Sequence, residues 1–161
     1  MPGIRVKPWN RVDNPVYSLS TTANGRGNLN ICSYVTSISM KPKRFIIGVY
    51  KETKTLANLE ANPVGLLNYL AMDQAQLVKL LGKKSGHSVD KIAQLGDQLE
   101  HVGDGLYRIK GAIATLRLKF TERMDAGDHW AWLAHLESYE NIREAPPLTI
   151  EELKRLKLIL A

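Results

Sequence analysis

Lys51, Thr53, Lys54 and Thr55 stand together in the stretch Lys51-Glu-Thr-Lys-Thr55, between a strongly β-prone segment (RFIIGVY, Arg44 to Tyr50) and a run of helix formers. A helix start carries N–H groups without acceptors and a partial positive charge, so lysine and threonine side chains there complete an anion site suited to phosphate. Taken alone, the plainer reading is the stronger: a threonine N-cap beside two solvated lysines. A second polar set, Asn28, Asn30, Ser33, Thr36, Ser37 and Ser39, alternates with apolar residues. On a strand it would offer donors and acceptors from one face, which suits a flat heterocycle with hydrogen-bonding edges and a polyol tail. Solvent-facing hydroxyls explain the same pattern more simply.

The remaining reactive residue types exclude more than they suggest. His129 follows Gly127-Asp128 at the head of an alternating segment, and His135 is six residues on. Along a strand that separation is about 20 Å at ~3.3 Å per residue, too far for one metal ion. His87 and His101 have no evident partner. Cys32 is the single cysteine, so no disulfide and no multi-cysteine metal site forms within the chain. It sits in an alternating strand without an adjacent base, as a buried structural thiol does. Gly25-Arg-Gly27 lacks the third glycine of a dinucleotide fingerprint, Gly82-Lys-Lys-Ser lacks the spacing of a phosphate loop, and no nucleophile elbow occurs.

These residues must be positioned by a chain of 161 residues, 44% apolar and 24% charged, enough for one domain spanning 1–161. No window approaches the ~18 apolar residues of a membrane span, and Met1 to Asn10 lacks the apolar core of a signal peptide, so a cytoplasmic address is expected. The net charge of +6 is concentrated: up to Tyr50 there are seven Lys and Arg against the single acid Asp13, and the rest is balanced. That asymmetry favours an anionic partner near the first third, whether a phosphorylated small molecule, nucleic acid or an acidic protein. Trp9, Tyr17 and Tyr34 lie in the same region, so a nucleic-acid binder is a reading to weigh, although no recognised motif supports it.

Val16 to Thr22 reads as a strand, Asn24-Gly25 as a hairpin turn, and Leu29 to Ser39 as its partner strand. RFIIGVY forms a third strand. A short helix follows over Thr53 to Ala61, stopped by Asn62-Pro63, and then a strand over Val64 to Leu70. Gln74 to Leu81 predicts a turn or two of helix. Lys83 to Asp97 has no sustained period and is long for a connection, which marks a functional excursion. After the Gly103-Asp104-Gly105 turn, Leu106 to Ile109, Ala112 to Glu122 and His129 to Glu137 are further strands. In the last of them Trp130, Trp132, Ala134 and Leu136 share a face. Beyond Pro146-Pro147, Thr149 and Glu152 predict a capping box opening a helix over 149–160, with Ile150, Leu153, Leu156 and Leu160 on one side. The pattern is mainly β with short helices, a small antiparallel barrel or sandwich.

The segments PVYSLSTT, NGRGNLNICSYVTSIS, MKP, RFIIGVYKETKTLANL, VGLLNYL, GKKSGHSVDKIA and AGDHWAWLAHLES follow one another in the order of the flavin reductase-like family of FMN-binding split barrels. The resemblance spans about 15–138. It implies a split β-barrel, a six-stranded antiparallel Greek key with a helical excursion and a C-terminal helix, assembled as a homodimer with flavin near the subunit interface. The implied cofactor is FMN, reduced by NADH or NADPH, often to supply a separate oxygenase. The resemblance assigns Lys54, Thr55 and Asn58 to the phosphate and ribityl end and Asn30, Ser33, Ser37 and Ser39 to the isoalloxazine edge. His129 falls at the nicotinamide side as a positioning group, since hydride transfer needs no protein base. Lys43 stands where the family often has a second proline, and Ala134 where it usually has glycine, which bears on subfamily rather than fold. A flavin-binding electron carrier or ferric reductase without nicotinamide turnover is the alternative reading.

Overall fold

The computed structural model describes residues 3 and 5–160. Nine strands form: β1 (Tyr17–Ala23), β2 (Arg26–Leu29), β3 (Val35–Met40), β4 (Lys43–Tyr50), β5 (Val64–Tyr69), β6 (Leu99–His101), β7 (Tyr107–Ile109), β8 (Ala114–Asp125) and β9 (His129–Asn141). Among the described residues four short α-helices are interspersed: α1 (Lys54–Ala61), α2 (Val78–Leu81), α3 (Lys91–Leu95) and α4 (Ile150–Arg155). Seven strands make one antiparallel sheet in the order β2-β1-β5-β8-β9-β4-β3, and β6 pairs with β7 in a separate ribbon. The fold is the mainly β split barrel implied by the family resemblance, with seven strands in its principal sheet where six were expected.

The extra strand arises because the predicted partner strand Leu29 to Ser39 is two strands at opposite ends of the sheet. Asn24 and Gly25 take φ of 52° and 74°, the left-handed pair that a tight hairpin needs, and β2 then pairs with β1 as far as Ser20↔Leu29. There the ladder stops: the Asn30 side-chain oxygen accepts from the Leu19 N–H at 2.8 Å, where a continuing strand would supply a carbonyl. The chain crosses through Cys32, which bridges back to Tyr17, and begins afresh as β3 against β4. The crossing, residues 30–34, thus belongs to neither strand and is free to line a site.

The barrel interior is filled by Leu19, Ile47, Leu59, Leu67, Leu118, Phe120, Trp132 and Ala134. A second core, including Leu29, Leu81, Leu95, Leu148 and Leu153, lies under the excursion and the C-terminus. Every residue of β1 is buried, its hydroxyls included, because the β6–β7 ribbon covers the outer face. Tyr107 N–H donates to Ser20 Oγ at 2.9 Å, and Asn68 accepts from Ile109 N–H at 2.9 Å. Strand β7 falls within the predicted Leu106 to Ile109, whereas β6 is the element that periodicity misses, since a three-residue strand shows no alternation. Tyr17 packs edge-on against Tyr69 at 4.8 Å inside the fold, so it cannot stack on a nucleobase.

At the C-terminus Thr149 caps α4 as expected, accepting from Glu152 N–H at 3.3 Å. The helix is shorter than the predicted 149–160. Lys157 adopts a φ of +58° and Leu158 N–H returns to the Leu153 carbonyl at 2.9 Å, a Schellman-type stop. Leu158 is therefore buried beside Leu153, while Leu160 is exposed.

Candidate active site

The β4 to α1 junction builds the first wall of the site. Strand β4 ends at Tyr50, and Thr53, in extended conformation, caps α1 by accepting from Leu56 N–H at 3.2 Å. The N–H groups of Lys54 and Thr55 at the helix start have no intrahelical acceptor. The Thr55 hydroxyl is buried and accepts from Asn28 Nδ2 at 3.4 Å, which leaves its own proton free to be donated. Lys54, half-buried, adds a formal charge beside these donors.

The second wall is the β8–β9 turn. Register Tyr50↔His129 brings His129 beside the end of β4, and Lys51 N–H donates to the Asp128 carbonyl at 3.0 Å. His129 Nδ1 lies 2.7 Å from Asp128 Oδ1, and the imidazole packs against the rings of Tyr34 and Tyr50 at 5.0 and 5.3 Å. This hydrogen bond holds the Asp128 carboxyl below its usual range. With the Nδ1 proton directed to Asp128, Nε2 of the neutral ring is an acceptor.

Between the walls runs a cleft of about 540 Å³, lined by Asn28, Asn30, Cys32, Ser33, Tyr34, Lys54, Thr55 and His129 and closed from above by Leu81 to Gly86 with Lys91. A cleft of this size, lined by both polar groups and aromatic rings, has room for a flat phosphorylated ring system. Five of the eight residues that the resemblance assigns to the site meet here: Asn30, Ser33, Lys54, Thr55 and His129. Three do not line it. Asn58 is fully buried on the inward face of α1 and donates to Thr21 Oγ1 at 3.2 Å. Ser37, exposed on β3, accepts from Lys43, and Ser39 lies beyond a register shift on the same strand. The continuous strand that would have put Ser37 and Ser39 beside Ser33 is broken at the crossing. Cys32 reaches the cleft wall, but burial pushes its thiol up to about 12, so it stays protonated at neutral pH.

The family model described as the flavin reductase like domain matches residues 9–154. The chain belongs to the flavin reductase-like family. Its fold is shared with the FMN-binding protein of Thermus thermophilus solved with p-hydroxybenzaldehyde, at TM-score 0.76 and 21% identity over 89% of this chain and 80% of that one. The NADH:FAD oxidoreductase of Streptomyces globisporus superposes at TM-score 0.73 and 20% identity, over 88% and 89% of the two chains. Among curated sequences, the Nostoc protein named "Putative diflavin flavoprotein A 1" is 28% identical over 125 residues, 77% of this chain. This chain spans 21% of the length of that relative.

Several lining residues of this flavin reductase-like domain were not singled out one by one in the sequence. Lys83, Lys84, Gly86 and Lys91 belong to the excursion, which its length and its segment GKKSGHSVDKIA in the family resemblance had marked as a whole. Gly86 has a steric reason to be glycine. A Cβ there would lie 2.9 Å from Lys54 Cβ and closer still to Asn28 Oδ1, so the excursion would have to lift off the helix start. Gly86→Ala is expected to weaken flavin binding about tenfold, the equivalent of ~1.4 kcal/mol, without moving the melting temperature by more than a few degrees. Equal affinity in a fluorescence-quenching titration would show that the excursion does not cover the ligand.

Lys51 braces the turn that carries His129. Its ammonium lies 2.7 Å from Asp125 Oδ1 and 4.8 Å from the Trp130 ring centre, while Asp125 also accepts from Gly127 N–H at 3.0 Å. Arg123 packs on the other contact of Trp130 at 4.1 Å. The Lys51 side chain thus ties the turn that carries His129 to the end of β4. Replacing it by Met is expected to slow flavin reduction by NADH or NADPH several-fold in stopped-flow, with flavin affinity within twofold of wild type. A rate left intact would remove Lys51 from this role.

Proposed function

We propose that the protein is an FMN-dependent oxidoreductase that reduces its flavin with NADH or NADPH. The observation that carries this reading is the joining, in one cleft, of an anion-binding helix start at Lys54 and Thr55 with an oriented imidazole at His129. A bound flavin supplies the chemistry: it accepts a hydride from the nicotinamide and passes the electrons onward. The chain's own residues do the rest. Lys54, Thr55 and the free N–H groups of α1 hold the phosphate, and Asn30 and Ser33 meet the polar edge of the ring. His129 Nε2 offers an acceptor to the carboxamide of the nicotinamide, fixing the approach of the donor.

Homodimerisation fits the exposed Tyr34, Ile38 and Met40 on or beside edge strand β3, which would be covered by a second copy. No helix among the described residues is long and apolar enough to cross a membrane. We place the protein in the cytoplasm, delivering electrons to an oxygenase or another acceptor. The decisive experiment is anaerobic mixing of flavin-loaded protein with NADH and with NADPH. Bleaching of the flavin absorbance within seconds is expected with one or both. Indifference to both would favour the second reading, a flavin-binding electron carrier or ferric reductase, for which the same phosphate site suffices.

A further inference from the structure

Lys91 opens α3 in the excursion and lines the cleft, yet it is only 4% exposed. Lysines are almost never buried to this extent without a counter-charge. Its ammonium donates to the Leu81 carbonyl at 2.8 Å, and no carboxylate pairs with it among the described residues. Asp90, its neighbour, spends its carboxylate on capping α3 through Ala93 N–H at 3.0 Å. The other charged or titratable groups around the cleft are Glu52, Lys54, Lys83, Lys84 and His129, with Cys32, Tyr34 and Tyr50 as neutral acids. Four of these can carry positive charge and Glu52 alone is a carboxylate. A buried cation facing a cleft of net positive character is a standing cost to the fold, and it is relieved when an anion enters.

We propose that Lys91 is the buried counter-charge for the phosphate of the flavin bound in the cleft. The inference rests on the flavin reading of the cleft and adds to it a residue on the covering excursion, opposite the helix start. Burial pulls the Lys91 ammonium down to about 8, against an ordinary value of 10.5. The sign follows. In the ligand-free protein the folded state gives up this proton first, so its stability rises as pH climbs from 8 towards 10.5. Flavin affinity runs the other way, because the anion needs the protonated amine: it is greatest below pH 8 and falls above, where the phosphate is already fully ionised.

The test is a titration of FMN and of riboflavin into wild type and Lys91→Met between pH 7 and 9.5, with the ligand-free melting temperature of each protein. Methionine fills the same volume without charge. The variant is expected to bind FMN at least tenfold more weakly at pH 7, to lose the fall in affinity above pH 8, and to melt at the same or a higher temperature. A loss confined to FMN assigns the phosphate. A loss shared equally by riboflavin, which has no phosphate, overturns the proposal. Wild-type FMN affinity that does not fall above pH 8, or a variant matching wild type in FMN affinity, overturns the proposal while leaving the flavin site standing. A wild-type protein that holds no flavin overturns the reading of the cleft itself.

Discussion

Lys54→Glu combined with Thr55→Val is expected to loosen FMN by about 10²- to 10⁴-fold while changing riboflavin affinity little. A hydrogen bond to a charged group contributes about 1.5–3 kcal/mol, and each ~1.4 kcal/mol is a factor of ten, so losing two such donors gives that range. The substituted glutamate adds repulsion towards the phosphate. Thr55 is buried and receives the Asn28 amide, so Thr55→Val alone serves as a control for local damage. Circular dichroism should show both variants folded. FMN retained by the doubly altered chain as tightly as before would place the phosphate elsewhere.

His129→Ala should separate binding from reaction. The imidazole is held by Asp128 and by the Tyr34 and Tyr50 rings, apart from the donors at the start of α1. Its removal leaves the phosphate donors intact, so FMN affinity is expected to stay within threefold. Misplacing a reactant by about 1 Å can cost a factor of ~10². The rate of flavin reduction by nicotinamide in stopped-flow is therefore expected to fall 10- to 100-fold, with a weaker apparent affinity for the donor. An unchanged rate would show that the nicotinamide approaches from another side.

The barrel was legible because its interior strands alternate: β8 buries Ala114, Leu116, Leu118 and Phe120, and β9 buries Trp132 and Ala134. The helix start at Thr53 was legible because capping is local chemistry, set by residues within one turn. What could not be read was set by distant contacts. Leu29 to Ser39 has the composition of one strand, but the Asn30 side chain interrupts its pairing with β1, that pairing ends at the Tyr17–Cys32 bridge, and the chain then pairs with β4 instead. The change of partner carries Ser37 and Ser39 away from the cleft and leaves Ser33 and Tyr34 in it. Asn58 is one helical turn from Lys54 and Thr55, and it turns inward to Thr21 while they line the cleft. Gly86 and Lys91 lie in a segment without periodicity, so their places became evident only when the excursion folded over α1 and β2.

A side-by-side titration of the purified wild-type protein with FMN and riboflavin, read by quenching of flavin fluorescence, tests the central claim most directly. A phosphate held by Lys54, Thr55 and the free N–H groups of α1 predicts saturable binding of both, with FMN at least tenfold the tighter. Equal affinity for the two, or no binding of either, would contradict it.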